Sequence, residues 1–152
     1  MTTLPAFLHP ALVFLVIGNF ALARAADPVQ VTGVIDGKQL QLTSELQKRL
    51  VEESVRLLAS CSNTVIQPKS TLQNAKRKSH VHFTFIEPRS FDLGVEKRPE
   101  RTGVRVKEMV ITLPLASGGA WIDSTKFRWF CSKYDAKAAQ DIEEILKAAQ
   151  KP

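Results

Sequence analysis

The sequence predicts an α+β domain: a mainly antiparallel sheet with two amphipathic helices packed on one face and one disulfide. Three observations carry this. Short runs alternate apolar and polar residues with the two-residue period of a half-buried strand, at Val29–Leu42, His80–Ile86 and Val104–Tyr134. Two longer segments, beginning at Thr43 and Asp135, repeat apolar residues at helical spacing. The links between strands after the first helix suit antiparallel neighbours. A chain that is 44% hydrophobic and 24% charged has the composition of a folded domain, which excludes disorder.

Ahead of the domain, Ala11–Leu22 is an apolar run too short to span a bilayer, which needs about 20 residues. Ala23-Arg24-Ala25 follows in the A-x-A pattern of signal-peptidase cleavage, so residues 1–25 are read as a signal peptide and residues 26–152 as one exported domain. No Lys or Arg precedes the run, and an uncleaved membrane anchor is the rival reading. Removal of the signal leaves no stable membrane span. The expected location is periplasmic or secreted.

In the domain, Val29–Leu42 surrounds Asp36-Gly37, a two-residue turn signal, and predicts a hairpin in which Leu40 and Leu42 alternate as a half-buried strand. The segment TSELQKRLVEESVRLLASCS predicts the first helix, capped by Thr43 or Ser44, with Gln47 at the capping-box spacing from Ser44. Its apolar side gathers Leu46, Leu50, Leu57 and Cys61, with Val51, Val55 and Leu58 extending it. Asn63–Ile66 reads as a short strand and Gln67–Ser79 as a loop. His80–Ile86 alternates, with Val81, Phe83 and Phe85 toward the core, and Pro88 is expected to end it. Ser90–Thr102 looks irregular, with room for a short strand around Phe91–Val95. Val104–Leu113 alternates at first and becomes apolar at nearly every residue from Met109, which predicts a bulge near Glu108 or cover on both faces. Pro114–Gly119 breaks it, and Trp121–Tyr134 reads as the returning strand, with Phe127, Trp129 and Cys131 on one face. Asp135 caps a last helix with Ala138, Ile142, Ile145, Leu146 and Ala149 on its apolar side.

The cysteines Cys61 and Cys131 are expected to pair, as two cysteines of a small exported domain commonly do. Charge is uneven. Between Lys69 and Lys107 there are ten basic and four acidic residues, in a chain whose formal net charge is +6. If the loops holding Lys76–Lys78 and Lys97–Arg105 share one end of the sheet, they form a patch that attracts anions. The expected contacts are Arg77, Lys78, Arg98, Arg101 and Arg105, with Trp121 a further candidate at the start of its strand. The expected function is non-catalytic binding of an anionic protein or envelope polymer. Nucleic acid is a poor partner, because aromatic residues do not interleave the basic ones.

Two alternatives belong to other classes. His80 and His82 form an H-x-H pair on one strand face, a spacing usable by a small hydrolase or a metal-dependent enzyme, with Glu87 or Asp92 to complete a site. Pro114–Gly119 offers a rigid loop for inhibiting a secreted enzyme. No cofactor signature is present: Ser117-Gly118-Gly119 lacks both the G-x-S-x-G elbow and the P-loop lysine. The carboxylates Glu87, Glu108 and Asp123 are not paired by their spacing.

Overall fold

The computed structural model describes residues 29–67 and 71–151. The signal-peptide reading of residues 1–25 lies outside them. The elements in chain order are β1 (Val29–Ile35), β2 (Lys38–Gln39), α1 (Ser44–Ser60), β3 (Asn63–Ile66), α2 (Thr71–Ala75), β4 (His80–Phe91), β5 (Val104–Thr112), β6 (Ala120–Ser124), β7 (Arg128–Ser132) and α3 (Ala136–Ala149). The strands form one sheet in the order β2-β1-β4-β5-β6-β7-β3, and all their pairings are antiparallel.

One face of the sheet carries the core. Val31, Val81, Phe83, Phe85, Val106, Met109, Ile111, Ile122 and Trp129 meet Leu50, Val51, Leu57 and Leu58 of α1 and Ile142, Ile145 and Leu146 of α3. The two helices also pack on each other. Thr43 caps α1 by accepting from Leu46 N at 3.3 Å. Gln47 does not close the expected capping box. Its amide bridges outward, accepting from Val31 N at 3.2 Å and donating to Leu42 O at 3.1 Å, and so ties β1 to the helix start.

The topology forces cover onto the second face as well. β3 lies at the sheet edge beside β7, whereas β4, next in the chain, lies between β1 and β5. The connection from β3 to β4 must therefore travel across the sheet. Within it Thr71–Ala75 forms α2, where the sequence predicts loop, and α2 packs on β5 and β6. Leu72 and Ala75 bury Val110, and Trp121 joins them in a second small apolar cluster. Five residues are too few to hold a helix by local bonds alone, so α2 depends on this docking.

Other departures have similar tertiary causes. β4 does not stop at Pro88: its pairing with β5 slips between Thr84 and Arg89 and resumes to Phe91. The slip absorbs the proline, which cannot donate to a ladder. The returning strand Trp121–Tyr134 is two strands, β6 and β7, with Phe127 in the turn between them and 47% exposed, not in the core. β2 ends at Gln39, and Leu40 reaches the core from outside a strand. The pairing of β5 with β6 shifts between Val106 and Glu108, at the expected bulge.

The expected disulfide is not formed. Cys61, at the end of α1, and Cys131, on β7, are both buried and lie 3.7 Å apart without a bond. A disulfide holds its sulfurs at about 2.05 Å. Thr64 fills the junction instead: its hydroxyl lies 3.0 Å from the Cys61 sulfur and 3.9 Å from the Cys131 sulfur. The hydrogen bond from Cys131, aided by Thr64 and the Arg101 charge, lowers Cys61 to about 7 against the opposing effect of burial. The same pairing, with burial, pushes Cys131 up. The corner is closed by hydrogen bonds from Ser62 N to Lys133 O at 3.1 Å and from Asp135 N to Ser60 Oγ at 3.1 Å. Residues 93–95 seal it, with Gly94 N donating to Leu58 O and Val95 N to Cys61 O. Gly94 is required there: its φ is +89°, and a Cβ would lie 2.8 Å from the Thr64 hydroxyl.

Candidate functional site

The second face of the sheet carries polar and aromatic side chains in rows set by the strand register. One row runs through Thr32, His82, Val110, Trp121, Phe130 and Val65. The next runs through Thr84, Glu108, Asp123 and Arg128. Glu108 lies where β5 passes from alternating exposure to burial at every position. Its Oε1 accepts from Lys76 Nζ at 2.6 Å and His82 Nε2 at 2.7 Å. Burial pushes the Glu108 carboxyl up, but the hydrogen bonds and charges of Lys76 and His82 outweigh it and hold it below the ordinary value. Burial and the nearby Lys76 charge lower His82, against the opposing pull of Glu108. A carboxylate faced by a neutral imidazole follows, with the ring proton on Nε2. One residue on, Asp123 pairs with Arg128 at 3.2 Å.

Beside this cluster a pocket of about 310 Å³ opens between the end of α2 and the β5–β6 turn. Ala75 and Lys78 form one wall, Gly118 and Gly119 the opposite one, and Trp121 and Phe130 also line it. The two rings tilt against each other with centroids 4.4 Å apart. Gly119 presses its backbone onto Phe130, where a Cβ would fall 2.1 Å from the ring. The Thr112 hydroxyl fixes the turn by accepting from Gly119 N at 2.9 Å and donating to Gly119 O at 3.1 Å. His80, buried on the same strand face, hydrogen-bonds through Nδ1 to Lys78 O at 2.7 Å and holds that backbone in place.

The expected basic patch divides in two. Lys76–Lys78 lies at the His80–Thr112 end of the β4–β5 ladder, and Lys97–Arg105 at the Phe91–Val104 end. Eight steps along β5 at about 3.4 Å each put roughly 27 Å between the two ends of that ladder, and of the first group only Lys76 reaches back along it, to Glu108. Arg77 and Lys78 are exposed, and Lys78 shares the pocket with Trp121. Arg98 is paired with Glu96 at 2.7 Å. Arg101 turns inward, donates through Nη2 to Thr64 O at 3.0 Å and leaves its buried Nε without a partner among the described residues. It is a residue of the thiol corner. Arg105 is exposed at the start of β5.

His80 and His82 do share a face, but each is committed elsewhere, to Lys78 O and to Glu108. Asp92 is held by Gly103 N and Lys97, and among the described residues no three His, Cys, Asp or Glu side chains are grouped to hold a metal ion. Thr84 Oγ1 lies 3.4 Å from His82 Nε2, the nitrogen that Glu108 already occupies. What the cluster does is hold α2 through Lys76. What sequence reasoning missed is that Lys76 meets Glu108 and that Phe130 shares a pocket with Lys78. These residues are brought together by strand register and by the crossing of the β3–β4 connection, and no short spacing encodes either.

No family model, curated protein or solved structure matches the chain. No helix of the described residues is long and apolar enough to cross a membrane.

The two arginines of the 97–105 segment are expected to behave differently. Arg101→Glu loses a buried charged donor and lowers unfolding free energy in urea by about 1–3 kcal/mol. Arg98→Glu, at an exposed pair, changes it by less than about 1 kcal/mol. The cluster also predicts a pH response. His82 and Glu108 both have folded values below their unfolded ones, so both contribute stability that is lost on acidification. Thermal stability is expected to begin falling below about pH 6.5, the ordinary histidine value. His82→Gln, which keeps a donor for Glu108, removes the first part of that loss and leaves the later carboxylate part.

Proposed function

We propose that the chain is an exported, non-catalytic binding domain that receives an anionic group of a protein or envelope polymer in the pocket between α2 and the Gly118–Gly119 turn. The observation that carries this reading is that Lys78 and Trp121, from separate segments, line one pocket with Phe130. Lys78 supplies the charge, and the aromatic pair supplies apolar area at low conformational cost. Arg77, exposed next to Lys78, adds to the local field. Export is proposed from the apolar run and the A-x-A pattern that precede the domain.

In this reading Arg98 and Arg101 are not contact residues, because one is neutralised by Glu96 and the other is built into the thiol corner. The hydrolase and inhibitor readings have no comparable observation behind them. The test is binding of the purified protein to immobilised polyglutamate and polyglucuronate, with polylysine as control, at low and high salt. Binding to the polyanions is expected, weakening as salt screens the contact. Lys78→Glu is expected to weaken it by about tenfold or more, as loss of a charged contact does, Trp121→Ala to weaken it too, and Arg98→Glu to leave it nearly unchanged. Polyanion binding insensitive to Lys78→Glu, or none at all, overturns the proposal.

A further inference from the structure

The cleft at the opposite end of β5 is a separate feature. It has a volume of about 250 Å³ and lies between the 99–105 segment and the β6–β7 turn. Pro99, Val104, Phe127 and Trp129 give it apolar walls, and Arg105 and Lys126 bring two cations to it. Neither cation has an acidic partner within 4 Å among the described residues. Trp129 is only 3% exposed, yet its indole N–H has no acceptor among the described residues. A buried donor without an acceptor is costly, and native structures rarely leave one so.

Several polar groups around it are already used. The Thr102 hydroxyl donates to Arg98 O at 3.0 Å, and Gly103 N to Asp92 Oδ1 at 3.0 Å. Ser124 Oγ donates to Phe127 O at 2.5 Å and accepts from Lys126 N and Phe127 N. Thr125 N donates to Arg105 O at 2.9 Å. The turn is thus fixed from within, and Trp129, which lines the cleft, keeps a buried indole N–H with no acceptor among the described residues. Phe127, at 47% exposure, stands edge-on to Trp129 with centroids 6.0 Å apart and leaves apolar surface at the mouth.

We propose that this cleft binds a single carboxylate carried on a small apolar group, the carboxylate accepting from Trp129 Nε1 and facing Arg105 and Lys126. The volume suits a group the size of one amino-acid residue, below the range of drug-sized ligand sites. Glu100, also on the wall, opposes a second negative charge, so the site selects a monoanion over a polyanion. The site is independent of the α2 pocket: it lies at the other end of the ladder and uses the other tryptophan.

The test is an NMR titration of the full ¹⁵N-labelled chain with N-acetyl-leucine, and separately with its uncharged amide. The chain has two indole N–H resonances, assigned with Trp121→Phe. The Trp129 resonance is expected to move downfield and saturate with the acid, while the amide moves it little. The Trp121 resonance reports the α2 pocket separately, so failure here is distinct from failure there. Arg105→Ala combined with Lys126→Ala is expected to weaken the dissociation constant by about tenfold, as loss of charge complementarity does. A Trp129 resonance that does not move, one that moves equally with acid and amide, or an affinity indifferent to the loss of both cations overturns the inference.

Discussion

The second face of the sheet depends on a crossing. Because β3 pairs at the far edge with β7, the chain must travel back across that face to begin β4, and it has to be held there. Glu108 is the anchor. Its one oxygen takes Lys76 from the crossing segment and His82 from β4, so the carboxylate joins the connection to the strand it feeds. Cover by α2 then buries Val110 on a strand whose other face is already buried by α1 and α3. The pocket is a by-product of that geometry, since one of its walls is the end of α2.

The opposite corner is organised by a different device. Cys61, Thr64, Cys131 and Arg101 meet where α1 ends and β7 passes, and Gly94 closes the space over them. No covalent bond joins the thiols; backbone and side-chain hydrogen bonds across Ser60–Thr64 and Lys133–Asp135 do the joining. An arginine that looks from sequence like one of several surface cations becomes internal here, because its guanidinium reaches in to the Thr64 carbonyl. The two ends of the β4–β5 ladder therefore carry separate basic groups in separate surroundings, and a sum of charges along the chain does not describe them.

The α+β class, both long helices and most of the strands were legible because each is written in local periodicity. The change at Met109 from alternating to continuous apolar residues announced that β5 is covered on both faces, and Asp36-Gly37 announced the first hairpin, where both residues have positive φ. What was not legible needed a partner far away in sequence. Thr71–Ala75 has no helix signal of its own and forms because Val110 and Trp121 wait beneath it. The turn at Thr125–Phe127 hid inside a run whose alternation continues through it. Of the candidate site, Lys78 and Trp121 were named from sequence, but nothing there put them in one pocket. Glu108 was seen only as a carboxylate without a spacing partner, because its partners lie 26 and 32 residues away.

The central claim is that the Glu108 carboxylate holds α2 on the sheet. Amide hydrogen exchange in the native protein and in Glu108→Gln tests it most directly, because exchange resolves local opening from global unfolding. The expected result is that amides of residues 71–79 lose protection in the variant while those of β4 and β5 keep theirs. Unchanged protection over residues 71–79 contradicts the claim, and so does a uniform loss across the whole sheet, which makes Glu108 a general support and not the anchor of the crossing.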